Sequence, residues 1–178
     1  MSWLLDTTHS QIGFAVKHMM ISTVRGRFNT FSGTFDIDEQ NPAASSVDVT
    51  VDVSSITTGD ANRDGHLKTA DFFEQEKYPT MTYKSTRVEK LSDDEYRIYG
   101  DLTLHGVTRE VPLTATLEGL TTDMQGNRRA GFTVRAAISR KDFGLNWNVA
   151  LESGGVLVSD KVNIEIDAQI IERVPVTA

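Results

Sequence analysis

The chain has 178 residues, with 25 Asp and Glu against 18 Lys and Arg and a formal net charge of -7. That length fits a single domain over residues 1–178 with a sizeable interior, and the acidic balance excludes a sequence-independent nucleic-acid binder, which needs a basic field. Cysteine is absent, which removes disulfides, zinc–thiolate centres and thiol catalysis together.

Met1-Ser2-Trp3-Leu4-Leu5-Asp6 carries neither a basic segment nor an apolar run of leader length. As it stands the chain is expected in the cytoplasm; a leader trimmed upstream would place it in the periplasm or outside the cell. No apolar stretch approaches the roughly 18 residues of a membrane helix, so no transmembrane segment is expected. Period-two alternation then takes over. Ile12, Phe14, Val16 and His18 share one face, Phe31, Gly33, Phe35 and Ile37 repeat it, and Val47, Val49, Val51 and Val53 alternate with Asp48, Thr50 and Asp52, the pattern of strands with one dry side.

The alternation breaks over residues 58–76. A short helix is expected at residues 63–70 with Asp60 as its N-cap, and Tyr78-Pro79 returns the chain to an extended path. Alternation resumes through Met81-Tyr83-Ser85, then Tyr96 to Leu104, Val111 to Leu117, Phe132 to Ile138 and Val162 to Ile170. Turn signals separate these runs at Asn41-Pro42, Ser92-Asp93-Asp94, His105-Gly106, Gln125-Gly126-Asn127 and Ser153-Gly154-Gly155. The fold expected is all-β, an antiparallel eight-stranded barrel with a short α-helical insert around residues 61–75, because closure is the most complete way to protect strand edges.

Asp60, Asn62, Asp64, Gly65 and Asp71 stand at positions 1, 3, 5, 6 and 12 of a calcium loop. Lys68 places a positive charge inside that loop, Asp71 is shorter than the usual bidentate Glu, and a strand rather than a helix precedes it. The same charges also read as a cap and rim network around the short helix. His9, His18, His66 and His105 show no metal-ligand spacing, and neither a nucleophile elbow nor a phosphate loop occurs. No cofactor, metal site or catalytic residue is expected. The aromatic residues fit a solid core or the wall of a hollow barrel. Gly33, Gly100, Ala115 and Ala168 on inward faces would leave room for a ligand.

Five ordered segments carry a family resemblance: His9-Ser10 with Ile12, Phe14, Val16 and His18; Val24-Arg25-Gly26 with Phe28, Phe31, Gly33 and Phe35; Arg63-Asp64 with His66-Leu67, Asp71-Phe72-Phe73 and Tyr78-Pro79; Leu102 to Thr108; and Arg140, Asp142, Phe143 and Gly144. From about Trp3 to Ile171 the chain resembles the YceI-like family. It departs from many members at Met20, where they have Gly, and in lacking their secretion signal.

The resemblance implies a lipocalin-like barrel that binds a polyisoprenoid or other long-chain amphiphile without catalysis. The tail is expected among Phe14, Val16, Phe31, Phe35, Leu67, Phe72, Phe73, Tyr83, Leu102, Phe132 and Trp147, and a polar mouth or latch at Arg63, His66, Arg140 and Asp142. The partner expected is a long isoprenoid or fatty ligand for transport or storage, and related barrels often pair, so the resemblance allows a homodimer. Two alternatives remain: a calcium-dependent binding module built on the Asp60 to Asp71 loop, and an isoprenoid-processing enzyme.

Overall fold

The computed structural model describes residues 2–173. In chain order the strands are β1 (Ser2–Leu5), β2 (Gln11–His18), β3 (Ser22–Phe28), β4 (Phe31–Asp36), β5 (Ser46–Asp52) and β6 (Ile56–Thr57). After the helix α1 (Ala61–Leu67) come β7 (Thr80–Lys90), β8 (Glu95–Leu104), β9 (Val107–Glu110), β10 (Leu113–Thr122), β11 (Arg128–Ser139) and β12 (Val158–Glu172). Every pairing is antiparallel.

The ring β1-β4-β5-β7-β8-β10-β11-β12 closes because β1 pairs with β4 on one side and with β12 on the other. This is the expected eight-stranded barrel. β12 is long enough, at 15 residues, to serve two neighbours along one edge: Ile170 to Glu172 face β1, and residues 158–167 face β2. From β2 a second path runs through β3 to β6. β1, β3 and the short β6 and β9 are the strands that alternation alone does not announce. β1 is too short for a period to register, and β3 puts Arg25 and Arg27 outward against only Val24 and Gly26 before Phe28.

The helix begins earlier than expected, at Ala61, because the Asp60 carboxylate accepts from the backbone N–H groups of Asn62 and Arg63. It ends earlier too. Lys68 and Thr69 donate back to the carbonyls of Gly65 and His66, tightening the last turn as helix ends commonly do.

Inward residues along the middle of the barrel are not sealed. In β12, Val162, Ile164, Ile166 and Ala168 are half-buried while Asn163, Glu165 and Asp167 between them are exposed. Side chains that face a packed core lose nearly all their accessible surface, so this alternation marks a hollow interior. Not every expected gap stays open, however. A Cβ on Gly100 would lie 2.6 Å from Tyr83 Cζ and 2.7 Å from the Lys84 carbonyl oxygen, so the Tyr83 ring occupies that space. The Tyr83 hydroxyl donates to the Val111 carbonyl at 2.8 Å. At Gly33 the room is likewise limited, with Val49 Cγ2 at 3.2 Å from the position of a Cβ.

Asp6, just after β1, gathers the barrel's first connection onto β11. It accepts from the Thr8 backbone N–H at 3.0 Å and the Thr8 hydroxyl at 2.7 Å. His9 Nδ1 lies 2.8 Å away, and Arg129 Nη1 donates to it at 2.8 Å. Arg129 in turn donates through Nε to Asp123 at 2.7 Å in the β10–β11 turn. Burial pushes the Asp6 carboxyl up, but hydrogen bonds from Thr8, His9 and Arg129 outweigh it and hold the group well below the usual carboxylate range.

Two outcomes follow from these contacts. Gly100→Ala should lower unfolding stability by about 1–3 kcal/mol, since it overpacks against a rigid ring and a backbone carbonyl; urea unfolding measures this, and a neutral change would contradict the close approach. A carboxyl with a depressed folded-state pKa contributes stability above its unfolded value of about 3.9 and loses it as pH falls. Asp6→Asn should therefore destabilise the protein at pH 7 and remove part of the stability loss between pH 4 and pH 2, as read by unfolding midpoints across that range.

Candidate functional site

The barrel encloses a cavity of about 490 Å³, within the range of small-molecule sites. Its middle wall is apolar, built from inward positions such as Phe14, Val49, Ile98, Phe132, Ile164 and Ile166. The exposed residues of the wall, Asp38, Glu39, Ser46 and Leu120, lie together at one end. The pairing of Ser2 with Asp36, Asp36 with Ser46, Trp3 with Glu172 and Thr122 with Arg128 defines that end. It is the mouth. Around it the four carboxylates of Asp36, Asp38, Glu39 and Glu172 outnumber two guanidinium groups, that of Arg173, whose backbone N–H donates to Ser2, and that of Arg128, which donates to Glu39 at 2.6 Å and to Glu172 at 2.9 Å.

The opposite end is closed by residues 60–79 and by the segment after β11. Leu67, Phe72 and Phe73 of the insert line the cavity floor. Phe72 packs on Trp147 with ring centres 5.2 Å apart, His66 meets Trp147 edge-on at 4.9 Å, and Phe73 meets Phe28 at 6.0 Å. His66 Nε2 lies 2.9 Å from the Asp71 carboxylate. His105 fastens the insert to the β8–β9 turn: its ring packs on Tyr78 at 5.0 Å, and its Nδ1 lies 3.0 Å from the Phe143 carbonyl. A carbonyl only accepts, so Nδ1 carries the hydrogen.

The model for the YceI-like domain matches residues 3–170. The chain belongs to the YceI-like family. Protein YceI of Escherichia coli O157:H7 is 46% identical over 141 residues, covering 79% of this chain and 73% of that protein. The YCEI protein of Campylobacter jejuni, 31% identical, superimposes with a TM-score of 0.78 over 95% of this chain and 96% of its own. A polyisoprenoid binding domain from Saccharophagus degradans, implicated in plant cell wall breakdown, shares the fold at 19% identity, with a TM-score of 0.70 and coverage of 96% and 98%.

In this YceI-like barrel the expected tail residues separate into two groups. Phe14, Val16, Phe35, Leu67, Phe72, Phe73, Tyr83, Leu102 and Phe132 line the cavity. Phe31 packs instead with Phe28, Val51 and Ile56 behind the wall, and Trp147 braces the insert from outside. The residues expected as a polar mouth or latch, Arg63, His66, Arg140 and Asp142, lie at the closed end. Arg63 folds back onto Thr58, donating to its hydroxyl at 2.7 Å and its carbonyl at 2.8 Å. The exposed Asp142 lies on a 3-10 turn, where its backbone carbonyl accepts from Arg109. Of the four, only Arg140 reaches the cavity wall.

Arg140 is buried and donates to four carbonyls, those of Leu145, Trp147, Val158 and Ser159. Burial pulls its guanidinium down from the ordinary value, and the charge of Asp160 offsets part of that; it remains a cation at neutral pH. Asp38 and Glu39, at the open end, follow β4 in a stretch that neither alternation nor motif spacing singles out. The carboxylates of the calcium-like loop are turned to local partners: Asp60 caps α1, Asp64 accepts from Thr58, and Asp71 faces His66. Among the described residues no group of three or more His, Asp or Glu is placed to hold a metal ion. No helix there is long and apolar enough to cross a membrane.

The insert holds to the barrel through rings rather than through a ladder, so it should open more easily than the strands. Trp147→Ala should speed amide hydrogen exchange across residues 61–78 at least tenfold and leave the central amides of β11 and β12 unchanged. Equal acceleration everywhere would mean that Trp147 supports the whole barrel.

Proposed function

We propose that this YceI-like protein is a non-enzymatic carrier or store for one long-chain amphiphile, a polyisoprenoid, fatty acid or fatty amide, held along the barrel axis. The observation that carries this reading is the hollow middle: large aliphatic side chains face inward yet keep accessible surface. An empty apolar interior forfeits contacts that a chain molecule restores. About twenty chain carbons at ~0.8 kcal/mol each would contribute roughly 16 kcal/mol gross, against an association cost of about 4–15 kcal/mol. Binding needs few polar contacts, in keeping with an almost wholly apolar wall.

The charged groups of the wall favour carriage over turnover. Asp38 and Glu39 stand at the mouth and Arg140 at the floor, so no acid and base face one point from two sides, as general acid–base chemistry requires. The binding named for the Saccharophagus domain supports the same reading by likeness of fold.

Organic extraction of the protein purified from its native host, followed by mass spectrometry, should release a single-chain lipid. Ile166→Trp places a ring in the cavity without crowding a packed core, so uptake of a fluorescent isoprenoid probe should fall at least tenfold while the thermal midpoint changes little. No extractable lipid together with no saturable uptake by the unaltered protein would overturn the proposal.

A further inference from the structure

Arg140 does more than a clamp requires. Its side chain is nine-tenths buried, with 7% of the residue exposed, and it forms part of the cavity floor. Of the five N–H donors of a guanidinium, Nε donates to the Ser159 carbonyl at 3.0 Å and Nη1 to those of Leu145 at 2.9 Å and Trp147 at 3.3 Å. Nη2 donates once, to the Val158 carbonyl at 3.2 Å, which leaves one Nη2 hydrogen without an acceptor.

All four acceptors are neutral. Asp160 stands near in charge but is engaged elsewhere, accepting from the Ser139 hydroxyl and from the Lys141 backbone N–H. Carbonyl dipoles position the guanidinium without neutralising it, and the charge of Asp160 offsets its burial only in part. A clamp that only collected carbonyls would need donors, not a charge. Leu145 and Val158, whose carbonyls it holds, are apolar residues of the wall. The far end of the same cavity is acidic. Along its axis the cavity therefore runs from a guanidinium at the floor, the one cation among its lining residues, to a carboxylate rim.

We propose that Arg140 is the seat for an anionic head group, a carboxylate or phosphate monoester, so that a single-chain amphiphile enters head first and its tail trails toward the mouth. This rests on the reading of the barrel as an amphiphile carrier and adds the ligand's charge and direction. The spare Nη2 hydrogen gives one charge-assisted hydrogen bond, stronger than its neutral counterpart. The anion adds to the partial counter-charge of Asp160 in a setting where water does not screen it.

The test uses the intact protein at neutral pH with palmitate labelled with carbon-13 at the carboxyl or at the terminal methyl, and a neutral, soluble gadolinium chelate as broadening agent. The expected result is a protected carboxyl and a terminal methyl broadened several-fold more strongly. Arg140→Lys should keep this order and Arg140→Gln should abolish it; if either variant fails to fold, the pair of labels on the unaltered protein decides alone. A carboxyl broadened as much as the methyl, or more, overturns the assignment. Saturable uptake of a neutral isoprenoid probe with none of palmitate overturns it while leaving the carrier reading intact. Uptake of neither removes both.

Discussion

Closure of the ring through β1 is the constraint on which the rest depends. Four residues, Ser2–Leu5, bond to β4 on one side and to the end of β12 on the other. Without them both partners would present unpaired backbone groups beside an apolar hollow, the costliest place to leave them. The seam is held by side chains as well. Trp3, 2% exposed, packs with Ala130 and Ile170. The Arg128 guanidinium stands 5.5 Å over its ring while pairing with Glu39 and Glu172. Asp6, one residue beyond β1, repeats the device toward β11 through Arg129. The start of the chain is thereby tied to strands far along it.

A barrel fastened at its seam can tolerate an unfilled middle. Buried residues collect in separate clusters. One surrounds Trp3 near the mouth, and two others lie around Phe28 with Phe31 and around Tyr83 with Phe143 toward the closed end. Between them the wall is formed by half-buried side chains, so the strand ladders carry cohesion that a solid core would otherwise share. The insert completes this division. Its Leu67 and Phe73 pack under the cluster around Phe28, and its outer face is held by rings and by His105. Space for a ligand is thus left where backbone hydrogen bonds suffice, and apolar packing is spent on the ends.

Much of this was legible in the sequence, for a physical reason. Strands with one dry face must alternate, and Val47 to Val53 and Val162 to Ile170 alternate cleanly; Asp60 before a helix of low propensity reads as a cap, and it is one. The failures have equally specific causes. Whether inward residues meet each other or a void depends on strand number and closure, which alternation does not encode. Gly100 reads as room but is occupied, because Tyr83 reaches across from β7. Arg63 and His66 read as mouth or latch because they stand beside the aromatics of the insert, whereas the exposed residues of the cavity wall lie at the Asp38-Glu39 connection and the end of β10. Arg140 shows the same limit: its type announces charge, but only the fold shows that its bonds all go to carbonyls.

The two charged ends of the cavity act in different ways because water reaches them differently. At the mouth Asp38 and Glu39 are exposed, and exposed charges are screened within about 8 Å at physiological salt. The rim therefore slows an anionic head mainly at low ionic strength, a matter of rate more than of affinity. Arg140 at the floor is shielded from salt by the apolar wall, so its field persists wherever water and ions are excluded. An anion that has passed the rim gains more by moving inward than by turning back, and its tail displaces whatever the hollow held. Reversal would bring the head beside the carboxylates and away from the guanidinium. For the proposed anionic amphiphile both ends thus favour the same orientation, the outer by repulsion and the inner by attraction, and the apolar middle would hold its tail without reading its chemistry.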